Sequence, residues 1–417
     1  MSDLAVDVTA VAPAAGSADT RDRPASASWT GLDEGGSFAV VHDWCPSFRG
    51  GERVLSEICK ITESVDVYTL FDFLPQDVKD EFFPGVSFHT SIADRLPSVH
   101  NYYRSLFFLC PFLIEQFDVT RYDAIISSSA AFARGVLTRP DQPHVCYVHS
   151  PVRYAWDEQF SYLSEGRLGY GPKGMLFRLM LHQLRIWDTR TTHGPDVMLA
   201  NSRYVRSRIR RIYGRDAEVV HPPVPVDASG SEYVANKADY YVTASFLAPY
   251  KRTDLVIRAF NEMPSRRLIV VGDGQQARSL RSLATGSNIE FAGYLPRQDY
   301  VATVGNARAL IFAGCEDFGI AMAEAQAYGT PVIAFGRGGA CDIVQPLDGP
   351  AEPTGLLFAR QTVEAVKDAV EHFESRKSEI APAACWLNAS RFSPERFRVQ
   401  IEQAIDRAIE MRRDSLT

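Results

Sequence analysis

Short apolar runs alternate along most of this chain with stretches in which apolar positions recur every three or four residues. The first pattern is that of strands buried on both faces, the second that of helices with one buried stripe. Phe38–Val41 opens the series in "SFAVVHDW". The chain then turns at "CPSFRGGERVLSEI", where Gly50 and Gly51 start a helix whose apolar face is Val54, Leu55 and Ile58. "VDVYTL", "YDAIISSS" and "HVCYVHS" predict further strands, with helical sequence between them. Strand and helix in alternation predict a parallel sheet.

A second series of the same kind follows Pro222, Pro223 and Pro225 in "VVHPPVPVD". Proline fits neither a helix interior nor a central strand, so this stretch reads as a linker. "DYYVTASFL", "RRLIVVGDG", "NIEFAGYL", "ARALIFAG" and "TPVIAF" then predict strands, each followed by helix-like sequence. "SPERFRVQIEQAIDRAIEMRRD" predicts a long amphipathic helix with Ser393 as N-cap and Pro394 at its first position. The expected organisation is a tail over 1–36, an N-terminal Rossmann-like domain over 37–222, a second over 223–385, and a C-terminal helix over 386–417 that packs back on the first domain. The expected fold class is α/β: two facing Rossmann-like domains with an inter-domain cleft. Open α/β sheets bind ligands outside the carboxyl ends of their strands.

Composition narrows the function. Of 417 residues 46% are hydrophobic and 23% charged, enough for two sizeable cores. The net charge of -7 argues against a general nucleic-acid binder. Seven cysteines with no C-x-x-C pair fit a reducing, cytoplasmic compartment better than a disulfide framework. No apolar run is long enough for a transmembrane helix. The first 36 residues, rich in Ala, Ser and Asp, have neither the basic start nor the apolar core of a signal peptide and read as a disordered tail.

Three motifs carry candidate chemistry. "VVGDGQQA" fits G-x-G-x-x-A after a strand, with Glu290 downstream where a ribose-binding acid could stand. A dinucleotide-dependent oxidoreductase would rest on that signal. A tight strand-to-helix turn explains it equally, and the motif sits in the second strand unit of its domain rather than the first. In "LAPYKRTDLVIRAF", Lys251 and Arg252 follow a strand and precede a helix, where a cation suits a diphosphate. "EDFGIAMAE" places Glu316 before a helix, Gly319 at its start and Glu324 inside it. Glycine admits close backbone approach, the first amides of a helix donate to oxygens, and carboxylates accept paired hydrogen bonds from diols. The two glutamates are therefore expected to hold different parts of one ligand.

With these motifs "GGER" (50–53), "YVHSPVRYAWD" (147–157), "ANSRYVRSRI" (200–209), "VVHPPV" (219–224) and "VVGDG" (270–274) belong together. The chain resembles the retaining GT-B glycosyltransferases of family 4 (group 1) over about 37–400. "YVHSPVRYAWD" further resembles bacterial O-antigen and exopolysaccharide mannosyltransferases. The resemblance implies transfer of a sugar from a nucleotide-sugar donor, foremost mannose from GDP-mannose, to a lipid-diphosphate-linked oligosaccharide in bacterial polysaccharide biosynthesis. A UDP-sugar donor is the alternative. By the same resemblance Lys251 binds the donor diphosphate, Glu324 the ribose and Glu316 the sugar hydroxyls. Phe318, Gly319 and Ile320 offer backbone amides, Gly50, Gly51 and Gly272 line the donor, and His149 hydrogen-bonds the transferred sugar. Two positions depart from the pattern. Phe246 stands where an Arg is common, with Arg252 as its substitute, and Asp342 stands where a Glu is common. There is no Asp-x-Asp motif, and the resemblance implies neither a required metal nor a cofactor.

Residues 166–211 hold ten Lys or Arg against two Asp, a basic excess in an acidic chain. Arg206, Arg208, Arg210 and Arg211 lie in it, and "YYRSLFFLCPFLIEQF" (102–117) is a separate apolar stretch. Together they suit docking on the anionic inner face of a membrane. A solvated helix face and an ordinary core helix are the plain readings of the same two stretches. A GT-B-shaped binding subunit without catalysis is the remaining class.

Overall fold

The computed structural model describes residues 36–62, 65–165, 169–226 and 234–416. The expected tail lies outside them save for its last residue. The chain divides into two compact units. One takes the residues up to Asn201, Val205–Val220 and those from Arg398 on; the other takes Ser202–Tyr204 and His221–Phe397.

The first unit is built on strands β1 (Phe38–His42), β2 (Val65–Thr69), β3 (Ser87–Thr90), β4 (Ala124–Ser129), β5 (His144–Val148), β6 (Val197–Ala200) and β7 (Glu218–Val219). All pair in parallel, in the order β3-β2-β1-β4-β5-β6-β7. The all-apolar runs fall in the middle: β1, β4 and β5 are buried at every residue. The register pairs His42 with Ser128 and Ser128 with Tyr147. His42, Ser128 and Tyr147 therefore face the same way, and so does His149 two residues further on.

The second unit holds β8 (Tyr241–Ala244), β9 (Leu268–Val271), β10 (Ile289–Gly293), β11 (Ala309–Phe312), β12 (Val332–Phe335) and β13 (Gly355–Phe358), again all parallel, in the order β10-β9-β8-β11-β12-β13. Val242, Leu310, Phe312, Val332 and Met322 share one core on one face of this sheet, while Tyr241, Val256, Phe260, Ile311 and Phe373 share one on the other. In both sheets the strand order reverses at an inner pair, β1/β4 and β8/β11. That switch point is where such sheets bind ligands.

Each strand read from the apolar runs is present. β3, β6, β7 and β13, which the pattern did not single out, are four residues or fewer. The closing helix runs Pro394–Leu416, and the Ser393 hydroxyl accepts the Arg396 amide at 3.3 Å. Within the first unit its Arg398 pairs with Glu57 (2.5 Å), Arg407 with Glu218 (2.7 Å) and Arg412 with Asp196 (2.9 Å). Among the described residues no helix is long and apolar enough to cross a membrane.

Candidate functional site

Charge gathers at the β8/β11 switch point of the second unit. After β8 the chain makes a short turn of helix, Pro249–Lys251, passes Arg252 in the left-handed region (φ 55°), and enters the helix Thr253–Asn261. The Lys251 ammonium lies 2.6 Å from Glu316 Oε1, and both side chains are largely buried. It also sits over the rings of Tyr250 and Phe312, 5.1 and 5.6 Å from their centroids. Glycines let the backbone close around this pair. A Cβ at Gly314 would stand 2.9 Å from the Lys251 carbonyl oxygen. One at Gly338 would stand 2.2 Å from that of Glu316, and one at Gly339 2.1 Å from that of Phe318. The Gly339 amide donates to the Glu316 carbonyl at 2.9 Å. The Glu-Asp-Phe-Gly turn is thus clamped between the Lys251 turn and the loop after β12.

Gly319 (φ 96°) caps the helix Ile320–Ala327. The amides of Phe318, Gly319 and Ile320 stand at that helix start, where donors have no intrahelical acceptor. Glu324 is not a solvated helix residue. It is buried, its Oε1 accepting from Arg297 at 3.3 Å and its Oε2 from the Tyr300 hydroxyl at 3.2 Å. Burial and the adjacent carboxylate push the Tyr300 phenol far above its usual range, so it stays a donor. Arg297 and Tyr300 lie on the helix Arg297–Asn306. No local motif marks them; only the fold brings them to Glu324.

Gly272 owes its identity to packing. At φ 119° its Cβ would stand 1.9 Å from the Ser245 carbonyl oxygen, and a Cβ at Gly274 would stand 2.7 Å from that of Leu247. The following helix, Ala277–Leu283, has seven residues, and Glu290 is exposed and pairs with Arg267 at 2.6 Å. This geometry fits the plain reading of a tight strand-to-helix turn: the glycines seat it against the chain leaving β8. Arg252 lies against Asp254 (3.1 and 3.2 Å), and Phe246 is partly exposed. Asp342 is buried, accepts the Arg203 amide at 2.7 Å and pairs with the Arg203 guanidinium.

The β1/β4 switch point of the first unit carries two histidines linked through a serine. His42 Nδ1 lies 3.1 Å from Ser128 Oγ, which lies 2.8 Å from His149 Nε2. Burial holds His149 down at about 3, with His42 adding to it, and burial also lowers His42 against the pull of Asp43. Both rings are therefore neutral near pH 7. Ser128 has one hydroxyl proton, so the two rings are coupled. When Ser128 donates to His42, His149 donates through Nε2 and its Nδ1 is an acceptor. When Ser128 donates to His149, that Nδ1 carries the proton. The Asn201 side-chain amide fixes the His149 carbonyl at 2.8 Å.

Next to His42, Asp43 accepts the backbone amides of Ala130, Ala131, Phe132 and Ala133 at 2.6–2.7 Å, tying the chain after β4 to the end of β1. The helix Gly50–Cys59 starts beside the same place: a Cβ on Gly51 would come within 3.9 Å of His42 Cε1. Glu52 accepts the Arg49 amide at 3.0 Å and is pushed by burial up to about 7.

Arg208 departs from the expected surface set. It is buried and donates to Ser150 at 2.9 Å and Asp157 at 2.7 Å, bracing the loop that follows His149. Helical periodicity explains this, since Arg208 shares the inward stripe with Val205 and Ile209, whereas Arg206, Arg210 and Arg211 point to solvent. The stretch 102–117 is split in the same way: Tyr103, Cys110, Leu113, Ile114 and Phe117 are core, while Phe108 and Phe112 are exposed. Among the described residues no group of three His, Cys, Asp or Glu is placed to hold a metal ion.

Two parallel sheets, each with candidate binding groups at its switch point, are matched by glycosyltransferase family models. Glycosyl transferases group 1 matches residues 231–385 and Glycosyltransferase Family 4 matches residues 49–228. The chain belongs to this glycosyltransferase family, and its fold is GT-B. It is 32% identical over 184 residues to a GDP-mannose-dependent monoacylated alpha-(1-6)-phosphatidylinositol monomannoside mannosyltransferase of Corynebacterium glutamicum, covering 37% of this chain and 48% of that one. It is 31% identical over 221 residues to a GDP-mannose-dependent alpha-(1-6)-phosphatidylinositol monomannoside mannosyltransferase of Mycolicibacterium smegmatis, covering 46% and 56%. The chain spans about half the length of the curated relatives it matches. The HepE protein of Anabaena, solved in complex with UDP and glucose, matches with a TM-score of 0.63 at 17% identity, over 88% of this chain and 98% of that one.

Proposed function

We propose that this chain is a retaining hexosyltransferase that moves mannose from GDP-mannose to a lipid-diphosphate-linked oligosaccharide, in bacterial polysaccharide synthesis at the inner face of the membrane. The observation that carries the proposal is the Lys251–Glu316 pair on its glycine-clamped turn, with Glu324 held by Arg297 and Tyr300 on the helix that follows. The mannosyltransferases named above support mannose and the guanine base.

Lys251 binds the diphosphate, and together with the amides of Phe318, Gly319 and Ile320 it stabilises the charge that develops as the sugar–phosphate bond breaks. That division of labour gives the leaving group its counter-charge from the chain itself, so we infer a transfer that requires no metal. Glu316 holds sugar hydroxyls, and Glu324 takes the ribose diol. On the first unit Gly50 and Gly51 are backbone positions open to a diphosphate, and His149 offers a neutral ring nitrogen to a sugar hydroxyl. The acceptor oxygen attacks from the face the phosphate leaves. The carbon–phosphate oxygen bond breaks as the new carbon–oxygen bond forms, and the departing phosphate takes the acceptor's proton. The exposed Arg206, Arg210 and Arg211 suit the phosphates of an anionic leaflet.

A UDP-sugar donor is the second reading, favoured by the UDP and glucose in the Anabaena structure. A thermal-shift screen against GDP-mannose, UDP-glucose, UDP-N-acetylglucosamine and UDP-galactose tests both. A ligand at about 100 times its Kd stabilises by about 2.7 kcal/mol. The largest shift is expected with GDP-mannose. A shift with a UDP-sugar alone would select the second reading, and stabilisation by a nicotinamide dinucleotide alone would overturn both.

A further inference from the structure

Beyond the end of β12 the second unit holds a hollow of about 330 Å³, and every residue that lines it belongs to that unit. Two guanidinium groups stand in its wall, Arg203 and Arg391, against one acid, Asp342. That acid is already engaged: one carboxylate oxygen accepts the Arg203 amide at 2.7 Å, and the other accepts Arg203 Nε. Backbone carbonyls hold both arginines in place. Arg203 Nη2 donates to Cys341 at 2.7 Å, Arg391 Nη2 to Asp342 at 2.8 Å and Arg391 Nε to Asn388 at 3.3 Å. Nη1 of each arginine, and the side-chain amide of Gln345 in the same wall, donate no hydrogen bond to any of the described residues. Arginines fixed through two nitrogens with the third left over suit an anion that enters from the hollow. Burial, and after it the neighbouring charges of Arg203 and Arg396, hold Arg391 below its usual range against the pull of Asp342. An anion in the hollow relieves that repulsion.

The rest of the wall is apolar. Val344, Pro346 and Leu357 line it with the His221 ring, which lies 5.4 Å from the Phe318 ring and 5.2 Å from that of Phe392. Guanidinium groups beside apolar surface suit a phosphate that carries a ring better than a bare ion. An adjoining hollow shares Gln345 and Arg391 and adds Arg396 and Glu352, one charge of each sign, so the excess of cation stays at Arg203 and Arg391. Lys251, Glu316 and Glu324 do not line the first hollow. It nevertheless backs on the turn that carries Glu316: Phe318 touches His221, and Asp342 lies on the short helix Ala340–Ile343, whose cap Gly339 donates to the Glu316 carbonyl at 2.9 Å.

We propose that this hollow is a second anion site, separate from the donor site, that takes the phosphate monoester of a sugar or nucleoside on Arg203, Arg391 and Gln345. The proposal goes beyond the donor reading and is measured without donor, so either stands if the other falls. Titration calorimetry with glucose 6-phosphate, GMP and inorganic phosphate, at matched ionic strength, is the test. At least one ester is expected to bind with a Kd of about 1 mM or tighter, and inorganic phosphate more weakly. The tighter of the two esters shows whether the site prefers a sugar or a base. Arg391→Gln removes one charged donor and is expected to weaken the ester about tenfold, while Lys251→Ala leaves it unchanged. A readout in the unaltered protein stands beside these variants. Cys341 is exposed and lines the hollow, so the bound ester is expected to slow its labelling by a maleimide, with Cys341→Ser identifying the labelled thiol. Failure of both esters to bind would overturn the proposal. So would binding that Lys251→Ala abolishes and Arg391→Gln spares, since the ester would then occupy the donor site, and so would Cys341 labelling that a saturating ester leaves unslowed.

Discussion

The β1/β4 and β8/β11 switch points occupy equivalent places in two parallel sheets and are furnished with opposite chemistry. The first unit places His42, Ser128 and His149 there, a neutral chain in which burial keeps the rings unprotonated. The second places Lys251 against Glu316, both largely shielded from solvent, and the buried Glu324 against the exposed Arg297. The difference follows from what surrounds each. His42 and Ser128 stand at the ends of strands that are buried at every residue, where desolvation outweighs the pull of Asp43, whose charge is taken up by four backbone amides. Lys251 and Glu316 stand on turns beyond their strands, where helix starts and glycine-lined backbone provide dipoles. One fold thus presents a tunable neutral hydrogen-bonding group on one unit and fixed charge on the other.

The largest effect that separates them is expected at Lys251. Lys251→Ala removes the cation from the place where leaving-group charge develops, and should lower turnover about 100-fold or more with far-UV dichroism little changed. Near-wild-type turnover would move the assignment to Arg252, which at present lies on Asp254.

Acid should distinguish the first unit. His149 and the buried His144 sit at about 3 in the folded chain against 6.5 when unfolded. The unfolded chain therefore binds protons first, and stability falls as pH drops from about 6.5 toward 3. Glu52, raised to about 7 from 4.5, works in the other direction: the folded chain holds its proton, so its contribution is lost as pH rises through about 7. Two histidines oppose one glutamate, so urea midpoints should decline from pH about 6.5 to about 4.5. His144→Gln should flatten that slope, with a limit of about 1.4 kcal/mol per pH unit for one proton. A profile flat over this range in the unaltered protein would contradict the burial of neutral histidines.

A smaller effect tests the coupling itself. Ser128→Ala cuts the link between His42 and His149 and should shift the His149 tautomer ratio, read from the nitrogen chemical shifts of the imidazole. Turnover should fall severalfold through kcat. Unchanged nitrogen shifts would reduce Ser128 to packing.

Much of this was legible in the chain before folding. The apolar runs at Phe38–Val41 and in "YDAIISSS" mark β1 and β4 because central parallel strands are buried on both faces. Lys251, Glu316 and Glu324 stand out because each sits within a few residues of a strand end or helix start. What was not legible depends on contacts across long stretches of sequence. Asp43 reaches amides at 130–133, Tyr300 and Arg297 reach Glu324, and Gly338 and Gly339 are shaped by residues 316 and 318. Arg208 was read by charge, and its position on the inward stripe outweighed that charge.

The most direct test of the central claim, that Glu316 and Glu324 hold two parts of one nucleotide sugar, is steady-state kinetics of Glu316→Gln and Glu324→Gln with the donor varied. Glu324→Gln should chiefly raise the donor KM, since the ribose is remote from the reacting carbon. Glu316→Gln should chiefly lower kcat, since its contacts lie on the sugar that distorts in the transition state. The same defect in both variants would contradict the account.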